Sequence, residues 1–447
     1  MGAGKSTVGR EVARLTERRF VDTDEEIERL HGPISALFER GEAEFRQLEE
    51  IVVAAALRDP DPGVVALGGG AVLSESTRGL LRKLALTLWL QVDPGVAWER
   101  VRDADRPLAQ DESTFRRLYE DRLPLYTDAA DASADDVEDV LLAGLGITVV
   151  DSTAAAGIHA DAVIADERVL ALHPLDLGCE TYPVPGGEAA KRIEVVRGLW
   201  GALELDRSDT VVAYGGGTTT DVAGFVAASY KRGVSWIAWP TTLVRQVDAA
   251  IGGKTGIDLD TGKNLVGAFH YPVRVLLDPG LLQTLPAEER RAGMAEVVKT
   301  GLLAGRPLWE LPDEEMVRAC AAFKAAVCIA DPYERTGRRA ILNLGHTFAH
   351  ALEAASGFEL RHGDAVALGL LAALRLSGLA TDVVDEVLRP EPVRVDGDRA
   401  WAALRRDKKA LDGHPRLVLL EETGKPVFPV ELPDEDIRRE LDALIAQ

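Results

Sequence analysis

Apolar residues along the first 145 positions alternate between two arrangements. Short apolar runs, such as Val64-Val65-Ala66-Leu67 and Leu86-Thr87-Leu88-Trp89-Leu90-Gln91-Val92, are separated by amphipathic stretches of helical period. That alternation predicts βα units and a parallel sheet. Residues 128–139, Asp-Ala-Ala-Asp-Ala-Ser-Ala-Asp-Asp-Val-Glu-Asp, are small and acidic and read as a linker closing a first domain near residue 145. A second strand-and-helix region follows from Ile147-Thr148-Val149-Val150-Asp151 to about residue 285, with strands at Ala162-Val163-Ile164-Ala165 and Thr210-Val211-Val212-Ala213-Tyr214. Beyond Pro286 the helical period dominates, over 287–304, 313–330, 346–356, 363–380 and 433–446. The expected organisation is two α/β domains, 1–145 and 146–285, and a mostly helical third, 286–447.

Composition narrows the function. With 447 residues and 46% hydrophobic content, the chain can bury several cores. Lys+Arg 51 against Asp+Glu 73 gives a net charge of −22, which argues against nucleic acid or an anionic membrane as partner. Small anionic substrates remain compatible through local Lys/Arg clusters. Cys179, Cys320 and Cys328 form no C-x-x-C pair, no apolar leader opens the chain, and no run approaches ~20 apolar residues. The expectation is a cytoplasmic protein.

Gly2-Ala3-Gly4-Lys5-Ser6-Thr7 reads as the second half of a phosphate loop, G-x-x-x-x-G-K-[ST]. In such a loop Gly4, Lys5, Ser6 and Thr7 surround ATP phosphates with backbone N–H groups, the lysine bridges the terminal phosphates, and Ser6 holds Mg²⁺. The pattern's first glycine and the strand feeding it would lie before Met1, an arrangement that predicts weakened phosphoryl transfer or a start further upstream. Val21-Asp22-Thr23-Asp24, Gly41-Glu42-Ala43-Glu44-Phe45-Arg46, Leu67-Gly68-Gly69-Gly70-Ala71, Arg106-Pro107-Leu108 and Arg122-Leu123-Pro124-Leu125-Tyr126 follow in order. Over almost all of residues 1–145 this series resembles shikimate kinase. The resemblance implies a P-loop kinase-like fold, Asp22 near Mg²⁺, Asp24 on substrate hydroxyls, Arg46 and Arg122 on the substrate carboxylate, backbone access at Gly68, Gly69 and Gly70, and Arg106 in a lid over ATP.

In the second region, Tyr214-Gly215-Gly216-Gly217-Thr218-Thr219-Thr220-Asp221 follows a strand and opens a helix, where glycines let backbone approach a pyrophosphate. Without G-x-G-x-x-G it serves equally as an ordinary tight turn. Asp166, at a strand end, could bond ribose hydroxyls, and Glu188 and Lys191 belong to another Gly-rich turn. His346 and His350, at i and i+4, lie on one helix face and could share a metal; a satisfied histidine pair has the same spacing. Glu296 and His362 add a carboxylate and a third imidazole, the donor types of an open Zn²⁺ site. Lys254, Lys263 and Lys299 sit among glycines and apolar residues, and with Arg232, Lys324, Arg339 and Asn343 predict a cationic pocket for a substrate bearing phosphate and carboxylate.

Together with Pro240-Thr241-Thr242-Leu243, Gln246-Val247-Asp248, Gly262-Lys263-Asn264-Leu265, Leu342-Asn343-Leu344-Gly345-His346 and Arg361-His362-Gly363-Asp364, these segments resemble 3-dehydroquinate synthase from about residue 160 to the end. The resemblance implies a Rossmann-like NAD-binding α/β domain followed by a helical metal-binding domain. Glu296, His346 and His362 then hold Zn²⁺ or Co²⁺, and His350 becomes a proton-transfer or substrate group. Asp166, Glu188, Lys191, Gly215, Gly216, Gly217, Asp221, Thr241, Thr242, Lys254 and Lys263 are assigned to NAD. Asp248, Lys254, Lys263, Asn264, Lys299, Lys324, Glu334, Arg339, Asn343 and one of Lys408 or Lys409 are assigned to substrate, with Asp248, Lys254, Lys299 and His350 in catalytic roles. Arg232 is expected to reach across a homodimer interface. The implied reaction converts 3-deoxy-arabino-heptulosonate 7-phosphate to 3-dehydroquinate and phosphate, with NAD recycled. Thr220 stands where the family usually has glycine. Alternatives are the same synthase with a non-catalytic kinase-like scaffold, or a related metal-dependent dehydrogenase or sugar-phosphate cyclase.

Overall fold

A computed structural model describes residues 2–102, 111–151, 157–259, 262–406 and 414–446. They form two compact units, Met1–Gly144 and Leu145–Gln447.

In the first unit, strand β1 (Arg19–Asp22) pairs in parallel with β2 (Gly63–Ala66), and β3 (Leu88–Leu90) pairs in parallel with β4 (Ala132–Ala134). Helices surround them, and Ile27, Leu37, Phe45 and Val52 make one apolar cluster. The acidic stretch at 128–139 is not a linker. It contains β4 and the start of the Val137–Ala143 helix. Its alanines at 132 and 134 are small enough to sit against β3, while its aspartates serve as turn and cap groups. Asp131 Oδ2 accepts from Thr87 N at 2.7 Å, and Asp136 caps the helix by accepting from Asp139 N at 3.0 Å. Short acids at bends satisfy backbone donors that would otherwise lack partners, so low sequence complexity here encodes structure.

The second unit is built on a six-stranded, all-parallel sheet. In spatial order its strands are β5 (Ile147–Val149), β12 (Arg274–Leu277), β9 (Ser235–Pro240), β8 (Thr210–Gly215), β6 (Ala162–Asp166) and β7 (Glu180–Val184). All five residues of β6, and all but the first of β8, are buried, as strands covered on both faces must be. An antiparallel pair, β10 (Lys254–Leu259) with β11 (Gly262–Phe269), leaves this sheet and carries Lys254, Lys263 and Asn264. Its register and its largely exposed β11 give no clean apolar alternation in the sequence, and it was not foreseen. Helices from Ala287 onward enclose a separate core, with one antiparallel pair, β13 (Leu417–Glu422) and β14 (Lys425–Val430), inside the mostly helical region. The His362–Leu376 helix is apolar on almost every side and buried along nearly its whole length, which fixes its neighbours closely. Among the described residues, no helix is long and apolar enough to cross a membrane.

Candidate functional site

Three helices assemble the metal-ligating set. The Ala287–Ala304 helix supplies Glu296 and, one turn on, Lys299; His346 and His362 are the first residues of the His346–Ala355 and His362–Leu376 helices. The two histidine helices approach closely because Gly345, with φ 77°, lies against Gly369 and Leu370. A Cβ at Gly345 would sit 2.8 Å from the Leu370 backbone nitrogen. Candidate ligand atoms of Glu296, His346 and His362 all lie within 4.8 Å of one another.

Electrostatics and hydrogen bonds aim these groups. Glu296 Oε1 is 3.2 Å from His362 Nε2 and 3.5 Å from His346 Nε2. Burial alone would raise Glu296, but the Lys299 ammonium and the two imidazole contacts hold its pKa well below the usual carboxylate range. Burial pushes His346 down to about 4, so it stays neutral and able to ligate. Burial also opposes charge on His362, yet hydrogen bonds to Glu296 and Glu353 prevail and raise it to about 9. His346 Nδ1 lies 3.2 Å from the Leu344 carbonyl and His362 Nδ1 lies 3.1 Å from Glu353 Oε1. Each Nδ1–H thus has an acceptor, and each Nε2 faces Glu296. One carboxylate and two imidazoles oriented by outer hydrogen bonds suit Zn²⁺ or Co²⁺. His350 is exposed, its ring centroid 5.5 Å from that of His346, and lies outside the three-residue set.

A cationic cluster adjoins this set. Lys299, 1% exposed, pairs with both Glu296 and Asp248, the latter at 3.0 Å. Lys324 Nζ contacts the Asp248 carboxylate and donates to the Asp248 carbonyl at 2.8 Å. Burial lowers Lys324 to about 7. Arg339, 3% exposed, donates to the carbonyls of Pro332 and Gly252 at 3.1 Å each. Asn343 Nδ2 is turned to the Ala340 carbonyl at 3.1 Å, and Lys254 pairs with exposed Glu334.

The glycine turn Gly215–Gly217 links β8 to the Gly217–Ser229 helix, with Thr241 N donating to the Gly215 carbonyl at 3.0 Å and Thr242 beside Gly216. Asp166 ends β6, caps the following helix and pairs with Arg168 at 2.9 Å. Lys263 pairs with Glu188 at 3.2 Å, and buried Lys191 reaches Asn264 Oδ1 and Asp221 Oδ2 at 2.7 Å each. Arg232 is exposed, at φ 69°. Lys408, Lys409 and Arg106 lie outside the described residues.

In the first unit Gly4 is the N-cap of the Lys5–Leu15 helix, whose first turn holds Lys5, Ser6 and Thr7. Ser6 Oγ donates to Asp22 Oδ2 at 2.5 Å, a hydroxyl and a carboxylate together, as Mg²⁺ prefers. The Gly68–Gly70 stretch packs directly on charged groups. A Cβ at Gly68 would fall 2.5 Å from Asp24 Oδ1, and one at Gly70 would collide with the Arg46 guanidinium. Arg122, 5% exposed, donates to the Gly69 carbonyl at 3.3 Å, as does the Tyr126 hydroxyl at 2.7 Å. Arg46 is braced by buried Glu49 at 2.6 Å, whose pKa burial raises.

Sequence reasoning missed Glu49, Glu353 and Arg245, and quoted Tyr126 within a motif without giving it a role. Glu49 and Glu353 look like ordinary helix-face acids until the fold places them. Arg245 carried a local signal, a single cation in the otherwise uncharged run Trp239–Val247.

The N-terminal and C-terminal 3-dehydroquinate synthase family models match residues 181–292 and 293–390, and the shikimate kinase model matches residues 1–141. The chain is 38% identical to the 3-dehydroquinate synthase of Symbiobacterium thermophilum, over 73% of this chain and 99% of that protein. The solved structure of 2-epi-5-epi-valiolone synthase from Streptomyces hygroscopicus subsp. jinggangensis, with NAD⁺ and Zn²⁺ bound, superposes with a TM-score of 0.59 at 26% identity, covering 67% of this chain and 96% of that one. The bifunctional shikimate kinase/3-dehydroquinate synthase of Thermotoga maritima is 33% identical and aligns over 97% of both proteins. Both halves and their order are shared with that last relative, and the chain belongs to the bifunctional shikimate kinase/3-dehydroquinate synthase family.

Proposed function

We propose that the second unit converts 3-deoxy-arabino-heptulosonate 7-phosphate to 3-dehydroquinate and phosphate at the Glu296–His346–His362 set, and that the first unit transfers phosphate from ATP to shikimate. The observation carrying the first assignment is the convergence of those three ligands beside Lys299, Asp248 and Lys324. When bound, NAD supplies reversible hydride acceptance and Zn²⁺ or Co²⁺ supplies Lewis acidity at substrate hydroxyl oxygens. The chain's residues then have separable tasks. Asp248 fixes both amines, so that Lys299, and Lys324 when protonated, present positive charge where an enolate and a departing phosphate develop negative charge. Buried Arg339 and half-buried Asn343 add fixed donors for an anionic substrate. His350, exposed beside His346, is the group placed to exchange a proton with solvent. Asp166, Glu188, Lys191, the Gly215–Gly217 turn, Thr241 and Thr242 form the nucleotide side.

In the first unit, Lys5 faces the ATP phosphates, Ser6 and Asp22 hold Mg²⁺, Asp24 takes the acceptor hydroxyl, and Arg46 and Arg122 take the substrate carboxylate. The same reading makes the synthase half a cytoplasmic homodimer in which Arg232 reaches the neighbouring site.

One experiment tests both halves. Purified full-length protein is given the heptulosonate phosphate with NAD and Zn²⁺, and separately shikimate with ATP and Mg²⁺. Phosphate release with dehydroquinate formation and no net NADH is expected in the first, and ADP with shikimate phosphate in the second. Net NADH accumulation would instead assign a dehydrogenase, and absence of ADP formation would leave the first unit a scaffold.

A further inference from the structure

Arg245 is among the least accessible charged groups of the second unit, with a side chain 10% exposed. It opens a π-helical turn, Arg245–Ala249, that contains Gln246 and Asp248. Such turns are rare overall and frequent at functional sites. One guanidinium here meets three partners. Nη2 pairs with Asp221 Oδ1 at 2.6 Å and donates to the Gly217 carbonyl at 2.7 Å; Nη1 donates to the Ala249 carbonyl at 3.0 Å. The other Asp221 oxygen is taken by Lys191 at 2.7 Å. Both oxygens of Asp221 are therefore occupied by cations of the chain itself.

The partners of Arg245 belong to two working parts of the molecule. Gly217 closes the glycine turn and starts the helix behind it. Ala249 directly follows Asp248, the carboxylate holding Lys299 and Lys324. Gln246 also pins this turn, donating to the carbonyls of Pro240 and Asp278 at 3.2 and 2.7 Å. A guanidinium is planar and rigid and can hold a carboxylate and two carbonyls at once, which an ammonium on a flexible stem cannot do in the same geometry.

We propose that Arg245 is a positioning residue that ties the glycine turn to the Asp248 segment, with Asp221 as its anchor, and so fixes the gap across which hydride passes. This rests on the synthase reading above. Transfer across that gap is sensitive to misplacement of about 1 Å, which costs on the order of 100-fold in rate.

The test uses full-length R245K and R245M beside the wild type, with kcat and the KM for NAD and for the heptulosonate phosphate measured separately, and zinc affinity by chelator competition. R245K is expected to lose about 10-fold to 100-fold in kcat while both KM values and zinc affinity stay within about 3-fold. Amide hydrogen exchange is expected to quicken in R245M at both 215–219 and 246–250. Wild-type kcat in R245K, or exchange quickened at only one of the two segments, overturns the proposal. A wild type that forms no dehydroquinate defeats the underlying synthase reading instead, and the exchange measurement still decides whether Arg245 couples the two segments.

Discussion

Gly345→Ala isolates the contact that brings two metal-ligating histidines together. Gly345 has φ 77°, a region where an L side chain costs roughly 1–2 kcal/mol. The added Cβ would also meet only backbone of the neighbouring helix, at 2.8 Å from Leu370 N and 2.9 Å from the Gly369 carbonyl carbon. No flexible side chain can yield there, and overpacking of this kind costs roughly 1–3 kcal/mol. Together these give about 2–5 kcal/mol, or roughly 3–8 °C in Tm for a unit of this size. The helices must separate, and since His346 follows Gly345 while His362 opens the helix that carries Gly369, zinc affinity should fall at least about 10-fold. Gly378→Ala is the control. Gly378 has φ 69° with nothing within 4 Å of its would-be Cβ, so it suffers the backbone cost alone. Differential scanning fluorimetry and chelator competition on both variants read the two effects. Unchanged zinc affinity in G345A, or equal losses in both variants, would refute the reasoning.

Lys324 offers a pH test. Its pKa falls from the usual 10.5 to about 7 through burial, so between those values the unfolded chain carries a proton that the folded chain lacks, and stability rises with pH across that window. The Tm advantage of K324M over wild type should be largest at pH 7 and below and shrink toward pH 10; a constant difference would mean that the Asp248 contact keeps the amine charged. In the kinase half, R122A should raise the KM for shikimate by about 10-fold to 100-fold, the loss of a charged hydrogen bond, with the KM for ATP within about 3-fold. Equal increases for both substrates in a coupled ADP assay would place Arg122 outside the carboxylate pocket.

Much of this architecture could be read before any coordinates. Buried parallel strands such as Ala162–Asp166 announce themselves as unbroken apolar runs, and the Ala287–Ala304 and Asp313–Ala330 helices match the predicted spans. Residues recognised by motif, such as Glu296 and His362, could be grouped because their chemical type is scarce: the chain has eight histidines. The unforeseen features share a different origin. The Lys254–Leu259 and Gly262–Phe269 pair is held by cross-strand backbone bonds, with little apolar pattern to betray it. Glu353 acquires its meaning only when another helix delivers His362 to it, and Arg245 only when Gly217 and Asp221 are folded beside it. The aspartates of 128–139 misled because charge at a turn and charge in a tether look the same in one dimension.

His346 and His362 each open a helix, so the positive ends of two macrodipoles lie at the ligand set. Lys299 adds a full positive charge, which Glu296 and Asp248, both paired with it, offset. The two helix N-termini favour an anion bound beside the metal. By reciprocity, whatever factor an anionic substrate adds to metal affinity, the metal returns to the substrate.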